Sequence, residues 1–248
     1  MRGVQADAPV LCGRAIQGGL LFGESDWEIG GARAVQSGGL FVIGLPMDAA
    51  PDLRLAFEKN GVKKSFDYKI VPREYKEQRI NVDDKFIKYP PEVERRIISE
   101  SEKITAARSV IDTSFAEFMN LKYPFAKKWP TSGVYGSRRI FNGIPKAPHK
   151  GWDIAAPAGT PVLAVAAGRV ALVIDSYMSG KTIIIDHGFS LYSVYAHLSK
   201  ISIENGAVVR AGDAIGAVGR TGRASGAHLH LGLYFGNEAI DPELMVRD

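Results

Sequence analysis

Residues 130–248 alternate short runs of apolar and β-branched residues with glycine, and no helical period is visible among them. The runs include TPVLAVAAGRVALVI, KTIIIDHG, YSVYAHL and AIGAVGRTG. β-Branched residues favour strands, whereas glycine between strands is typical of turns and of close backbone approach. This pattern predicts a glycine-rich, twisted antiparallel β domain. The stretch IIIDHGFSLYSVYAHL predicts a hairpin with its turn near residues 188–190.

Two further sections precede this domain. Residues 1–88 carry short β-like runs such as GGLFVIGL and KSFDYKIV, with a turn signal at KNG, and predict a small β-sandwich-like domain. The pattern predicts a helical linker over residues 89–128, in which an apolar stripe at helical spacing, formed by Val93, Ile97, Ile104 and Ile111, predicts a helix over 91–115. The fold class is therefore mainly β, with domains at 1–88, 89–128 and 129–248.

Composition excludes several classes of protein. The chain has 248 residues, 46% of them hydrophobic, and a net charge of +4 without a dense Lys/Arg run, so we expect no nucleic-acid partner. Cys12 is the only cysteine, which excludes an intrachain disulfide and a cysteine zinc cluster. No apolar run reaches membrane-spanning length, and the first ten residues lack the apolar core of a signal peptide.

The tripeptide HLH at 228–230 is the first candidate for chemistry. Alternate residues of a strand share a face, so His228 and His230 lie on one surface and Leu229 and Leu231 on the other. Two neighbouring imidazoles suit a metal site or a metal ligand beside a proton-transfer group. An isolated HxH is more often a solvated polar face, so the interpretation depends on partners elsewhere.

Three such partners lie upstream. His149 and Asp153 stand four residues apart in APHKGWDIAAPAGTPV, where proline and glycine predict a loop that runs into a strand. Imidazole nitrogen and carboxylate oxygen are both ordinary zinc ligands. His197 is expected at the end of the strand YSVYAHL.

Taken together, these motifs resemble the lysostaphin-type (LytM-like) zinc metalloendopeptidases, which act on bacterial peptidoglycan. The resemblance rests on H-x-x-x-D, then YAHL, then HLH, and on GxDIAAPxGTPVxAxxxGxV over 151–170, IIIDHG over 183–188 and GxxIGxxGxTGxxxGxHLH over 212–230. It covers roughly 130–245. It implies that His149, Asp153 and His230 bind Zn²⁺ and that His197 and His228 are the catalytic histidines.

His187 in the DHG turn is interpreted as structural. Other residues near these motifs have two possible interpretations. Tyr195 is either an additional proton donor or a packing residue, and Trp152 either shapes a substrate subsite or only packs. Arg220 and Arg223, in the loop before HLH, either bind the carboxylates of stem peptides or are solvated.

The resemblance implies a zinc metalloendopeptidase that hydrolyses peptide cross-links of peptidoglycan, with the D-alanyl–meso-diaminopimelate bond favoured over pentaglycine. The alternatives are a non-catalytic wall-binding activator of another hydrolase and a purely structural zinc site. Stem peptides are the expected partners, and the N-terminal domain leaves room for a regulatory partner. The expected location is periplasmic or secreted, with a signal peptide removed.

Overall fold

The computed structural model describes residues 11–30, 34–81, 89–115 and 120–247. The expectation about a signal peptide concerns residues 1–10, which lie outside this range. The chain divides into two compact units, residues 1–73 and 74–248. The division falls earlier than the sequence pattern placed it, and the three-part domain scheme stays a prediction.

The first unit contains two antiparallel sheets that share one core. Its strands are β1 (Cys12–Gly13), β2 (Leu20–Glu24), β3 (Glu28–Gly30), β4 (Ala34–Ser37), β5 (Leu40–Gly44), β6 (Asp52–Lys59) and β7 (Val62–Lys69). One sheet has the order β1-β2-β5-β4 and the other β3-β6-β7. Phe41 and Ile43 of the first sheet pack in one cluster with Phe57 and Phe66 of the second, as the predicted sandwich requires.

The predicted turn at KNG connects β6 to β7. Asn60 and Gly61 both have positive φ, 52° and 77°, which suits a two-residue hairpin turn because its twist matches that of the strands.

The second unit is built on one large antiparallel sheet. Its strands are β8 (Glu77–Ile80), β9 (Leu121–Lys122), β10 (Thr131–Gly133), β11 (Arg138–Phe141), β12 (Ile144–Pro145), β13 (Trp152–Ile154), β14 (Pro161–Leu163), β15 (Gly168–Ser176), β16 (Gly180–Asp186), β17 (Leu191–Leu198), β18 (Lys200–Ile201), β19 (Val208–Val209), β20 (Ala214–Ala217), β21 (Leu229–Phe235), β22 (Glu238–Ile240) and β23 (Val246–Arg247). The large sheet has the order β10-β13-β21-β17-β16-β15-β19, and β22 pairs with β21. The order of two smaller sheets is β12-β11-β8 and β14-β20-β18, and β9 pairs with β23.

The middle of the large sheet is the core of this unit. Ile183, Ile184 and Ile185 are fully buried, so both faces of β16 are covered, as a continuous apolar run indicates. Strands β16 and β17 pair as the predicted hairpin. Between them, Gly188, Phe189 and Ser190 have positive φ, which confirms the turn near 188–190.

The predicted helix over 91–115 is too long. Helix α1 spans Pro91–Ala107, with Pro91 at its first turn. Beyond it, Asp112 accepts hydrogen bonds from the backbone amide and the hydroxyl of Ser114, a local alternative to helix that this β-branched segment favours. Ile111, which the pattern assigned to the apolar stripe, is 63% exposed and lies outside the helix.

A second, four-residue helix, α2 (Pro242–Met245), falls in the section where no helical period is visible. The carboxylate of Asp241 accepts a hydrogen bond from the backbone amide of Glu243 and caps it. Neither helix in the described part of the chain has the length and apolarity needed to cross a bilayer.

Candidate active site

Strand register brings two of the predicted metal ligands together. In the pairing of β13 with β21, Asp153 lies directly opposite His230. Side chains of directly opposed residues start about 5 Å apart, within reach of a shared ion. The Nδ1 atom of His230 lies 2.8 Å from Oδ1 of Asp153. The alternation predicted for HLH is also observed, because Leu229 and Leu231 are fully buried whereas His230 remains partly exposed.

His149 completes a group of three. It belongs to the loop before β13, and its Nε2 lies 3.0 Å from Oδ1 of Asp153 and 3.1 Å from Nδ1 of His230. Among the described residues, this is the group of histidine, cysteine and acidic side chains whose donor atoms converge closely enough to hold a metal ion. The three predicted ligands are thus brought to one point.

The hydrogen bonding of His149 indicates that this point suits a cation. Its Nδ1 faces the carbonyl oxygen of Val134 at 2.9 Å, so the neutral ring carries its proton on Nδ1 and a lone pair on Nε2. That lone pair faces a carboxylate oxygen of Asp153 at 3.0 Å, so a cation between the two atoms, either a proton or a metal ion, stabilises the arrangement. Orientation of a ligand by a backbone carbonyl is typical of metal sites.

The backbone beside the site leaves no spare room. A Cβ atom on Gly151 would lie 2.6 Å from Cε1 of His230 and 2.6 Å from the carbonyl oxygen of Leu231. The imidazole of His230 therefore occupies the space that any other residue at position 151 would fill.

Burial and neighbouring side chains shift the pKa values of the predicted ligands in opposite directions. Burial raises the pKa of Asp153, but hydrogen bonds from His149 and His230 outweigh it and hold the pKa well below its usual range. Burial lowers the pKa of His230. Both shifts favour the forms that bind metal, namely carboxylate and neutral imidazole.

The two predicted catalytic histidines lie beside this group. The ring centroids of His197 and His228 are 4.7 Å apart, and Nε2 of His228 is 3.9 Å from Oδ1 of Asp153. Nδ1 of His197 bonds to the carbonyl of Thr221 and Nδ1 of His228 to that of Gly226, each at 2.9 Å. In neutral rings these bonds leave both Nε2 atoms as proton acceptors. Burial lowers the pKa of His197 to about 4.

All five residues line one open cleft of about 590 Å³. The side chains of His149, Asp153, His228 and His230 keep 22%, 18%, 14% and 19% of their surface exposed. Substrate and solvent therefore reach the site from one side.

The structure also shows where Tyr195 and His187, two other residues interpreted from the sequence, lie. Tyr195 is fully buried outside the cleft lining, and its hydroxyl accepts hydrogen bonds from the amide of Val165 and from Ser193, so it is a packing residue. His187 is fully buried, bonded to the Ala167 carbonyl and to Ser193, as the structural interpretation requires.

The structure also distinguishes between the two interpretations of Trp152 and of the two arginines. Trp152 is 8% exposed, and its indole N–H donates to Thr131, so it packs and does not line the cleft. Arg223 lines the cleft and is hydrogen bonded to the hydroxyl of Tyr89. Arg220 is exposed and is not among the lining residues.

Some cleft residues have no signal in the sequence. Tyr89, just before α1, and Lys146, after β12, both line the cleft. Neither belongs to a motif: Tyr89 comes from a segment 60 positions before His149, and Lys146 lies three positions before His149 but outside the H-x-x-x-D spacing. Thr221 lies beside the cleft, where its hydroxyl makes two hydrogen bonds, and its place in the GxTG part of the motif over 212–230 is the one signal in the sequence that pointed toward it.

Comparison with known proteins identifies the family to which this part of the chain is similar. The sequence model of peptidase family M23 matches residues 147–242, which include all five histidine and aspartate positions described above. The catalytic domain of the prophage-encoded M23 protein EnpA from Enterococcus faecalis is 31% identical over 50% of this chain and 95% of that one, with a TM-score of 0.44. The chain belongs to peptidase family M23, a family of metallopeptidases.

Two further relatives extend the comparison. A crystal structure from Pseudomonas aeruginosa assigned to peptidase M23 is 27% identical, covers 94% of this chain and 95% of its own, and has a TM-score of 0.72. Peptidoglycan DD-endopeptidase ShyA of Vibrio cholerae is 39% identical over 113 residues, which are 45% of this chain and 26% of ShyA. The chain spans between a quarter and a third of the length of the first curated relatives that it matches.

Proposed function

We propose that this chain is a zinc-dependent endopeptidase that hydrolyses peptide cross-links of peptidoglycan, and that its preferred bond is D-alanyl–meso-diaminopimelate. The observation that carries the proposal is the convergence of His149, Asp153 and His230 beside the pair His197 and His228 in one open cleft. Catalytic zinc sites use three protein ligands and leave one position for water or substrate, whereas structural sites close with four.

The names of relatives support the substrate class. ShyA and ShyB of Vibrio cholerae are described as peptidoglycan DD-endopeptidases, and Mpg of Neisseria as a DD-carboxypeptidase/endopeptidase. A DD-endopeptidase cuts between two D-configured centres, which is the configuration of the D-alanyl–meso-diaminopimelate bond. Because peptidoglycan lies outside the cytoplasmic membrane, the proposal includes a periplasmic or secreted location.

The mechanism divides into binding of zinc and movement of protons. A zinc ion, when bound, supplies a Lewis acid that polarises the scissile carbonyl and acidifies water. His149, Asp153 and His230 would hold it, with His149 oriented by the carbonyl of Val134.

His197 and His228 perform the proton transfers. Both present Nε2 to the cleft because both Nδ1 atoms are bonded to backbone carbonyls. One ring accepts the proton of the attacking water. The other ring stabilises the developing oxyanion or protonates the departing amine. Arg223 and Lys146 place positive charge in the cleft walls, where carboxylates of a stem peptide are attracted.

Digestion of purified sacculi tests the proposal. The zinc-loaded chain should release uncross-linked muropeptides, with new D-alanine carboxyl ends identified by mass spectrometry. A chelator should stop the release, and added zinc should restore it. A zinc-loaded chain that leaves the sacculi cross-linked contradicts the proposal and favours the non-catalytic activator, which is then checked by adding a second wall hydrolase.

Substitutions separate the two groups of residues. His230→Ala should lose most of the zinc, because two ligands remain. His197→Ala and His228→Ala should keep the zinc and lose hydrolysis by about 100-fold or more, the usual scale for general acid–base groups. Full zinc loading in the first variant, or near-normal turnover in either of the others, contradicts the corresponding assignment.

A further inference from the structure

We infer that Thr221 is a positioning residue that holds His197 in its working orientation, an inference that rests on the proposed function. Thr221 follows β20 in the loop that leads to HLH, and it lies next to His197 in space although 24 positions separate them. Both its backbone and its hydroxyl bond to the segment around His197.

The backbone of Thr221 contacts the ring that it positions. Its carbonyl accepts the Nδ1–H of His197 at 2.9 Å, which sets both the tautomer and the plane of the imidazole. Its amide approaches the carbonyl oxygen of His197 at 3.4 Å. A shift of this backbone by a few tenths of an ångström therefore moves Nε2, the atom that faces the cleft.

The hydroxyl of Thr221 fixes that backbone in turn. It donates to the carbonyl oxygen of Leu198 at 2.8 Å and accepts the amide N–H of Lys181 at 3.0 Å. One hydroxyl thus ties the loop before HLH to the end of β17 and to the start of β16. Thr221 is half-buried, so these bonds are partly protected from water.

The close packing around the hydroxyl leaves little freedom. A Cβ atom on Gly180 would lie 2.3 Å from Oγ1 of Thr221, and one on Gly222 would lie 2.3 Å from the amide nitrogen of Gly180. The amide of Arg223 also donates to the carbonyl of Met178 at 2.9 Å. The loop and the turn between β15 and β16 therefore meet backbone to backbone.

His197 needs such support because its own backbone is strained. Its φ is +62°, a left-handed conformation that is unfavourable for a residue with a side chain. Residues of this kind persist only where surrounding contacts hold them, and they concentrate at functional sites. The amide of His197 donates to the carbonyl of Ser179 at 2.8 Å, and Thr221 holds the ring and the carbonyl side.

The test compares variants of the full-length, zinc-loaded chain on sacculi. Thr221→Val keeps the shape and removes the hydroxyl, and Thr221→Ser keeps the hydroxyl. We expect Thr221→Val to lower kcat by about 10- to 100-fold with KM and zinc content close to wild type, because misplacement of a catalytic group by up to 1 Å costs this much. Thr221→Ser should restore most of the rate. Thr105→Val, at an exposed helical threonine, is the matched control and should be silent.

Two further measurements exclude a general structural effect. In a His197→Ala background, Thr221→Val should cost little more, because groups that act as a unit are not additive. The Nδ1–H resonance of His197 should be retained in Thr221→Ser and displaced in Thr221→Val. Where Thr221→Val melts early, Thr221→Ala serves instead, because its smaller side chain admits a water. Loss of the folded state in both variants overturns the inference, since the hydroxyl would then serve overall stability.

Other results are equally decisive. An unchanged kcat in Thr221→Val, an effect confined to KM, an equal loss in Thr221→Ser, or a full additional loss in the His197→Ala background would each overturn the inference. A wild-type chain that leaves sacculi intact contradicts the proposed function itself. If the wild-type chain cleaves sacculi and Thr221→Val has the same kcat, only the positioning role is refuted.

Discussion

Replacement of Gly151 by alanine should weaken zinc binding without removing any ligand. The added Cβ would lie 2.6 Å from Cε1 of His230, and an ordinary contact begins at 3.4 Å, so the ring must move by about 0.8 Å. The carbonyl of Leu231, equally close, belongs to the backbone of β21, which is held in register with Trp152 of β13. The ring of His230 must therefore yield, and β13 and β21 must also shift slightly to relieve the contact with the Leu231 carbonyl, so both changes disturb the position of His230.

The size of the effect follows from the tolerance of metal bonds. Ligand distances in metal sites vary within about 0.2 Å, much less than the required shift. Changes next to metal ligands typically reduce affinity by about 10- to 100-fold, and we expect a loss of this size. Residual hydrolysis at saturating zinc should fall by about 100-fold, because a ligand displaced by nearly 1 Å misplaces the reacting atoms.

Competition with a chromophoric zinc chelator measures the affinity, and thermal unfolding in the presence of chelator verifies the fold. Gly30→Ala is the control, since its Cβ would meet its nearest neighbour, the carbonyl of Ala56, at 3.8 Å. Wild-type zinc affinity in Gly151→Ala, with the fold intact, would refute the assignment of His230 as a ligand that is confined by Gly151.

Three further predictions concern the cleft wall and the core. Arg223→Gln should raise KM several-fold for acidic stem peptides, whereas Arg220→Gln should not, because Arg223 lines the cleft and Arg220 does not; equal effects in steady-state kinetics would contradict this. Tyr195→Phe should keep kcat within about threefold but lower the free energy of unfolding by about 1–3 kcal/mol, since the buried amide of Val165 loses its acceptor; a large loss of kcat would restore a catalytic role. Burial raises the pKa of the Asp186 carboxyl from 3.8 to about 6, so its ionisation destabilises the fold as pH rises through 6. Between pH 4 and pH 8, the free energy of unfolding of Asp186→Asn should therefore increase by up to about 3 kcal/mol relative to that of the wild type. Denaturant titrations at the two pH values measure that difference, and an equal effect at both would contradict it.

The strand that carries HLH was predictable because its signal is local. Alternation of leucine with histidine places His228 and His230 on one face whatever the partner strand is. The pairing of Asp153 with His230 was not derivable in this way, since register depends on which strands meet and a shift of one residue would reverse the faces. Only the resemblance to a known family linked the two motifs before the fold was described.

The errors have a physical pattern as well. The helix was extended to 115 because Ile111 continues its spacing, but the side chain of Asp112 competes for backbone bonds, and periodicity does not register such competition. Tyr89 was missed because it lies 60 or more positions from the predicted site residues, and contacts across such a distance leave no trace in spacing. Lys146 lies three positions before His149, but it belongs to no motif. Tyr195 shares a strand with His197, yet its hydroxyl lies in the core, which only packing reveals.

The floor and the walls of the cleft are encoded in different ways. The floor depends on strand register and on backbone carbonyls of Val134, Thr221 and Gly226, which every residue type supplies. The walls instead consist of individual side chains, such as Lys146 and Arg223, from separate segments. Substitutions in the walls can therefore redirect such an enzyme to a differently charged peptide while its chemistry is inherited intact. Evolution toward a new substrate and maintenance of the reaction draw on separate parts of the chain.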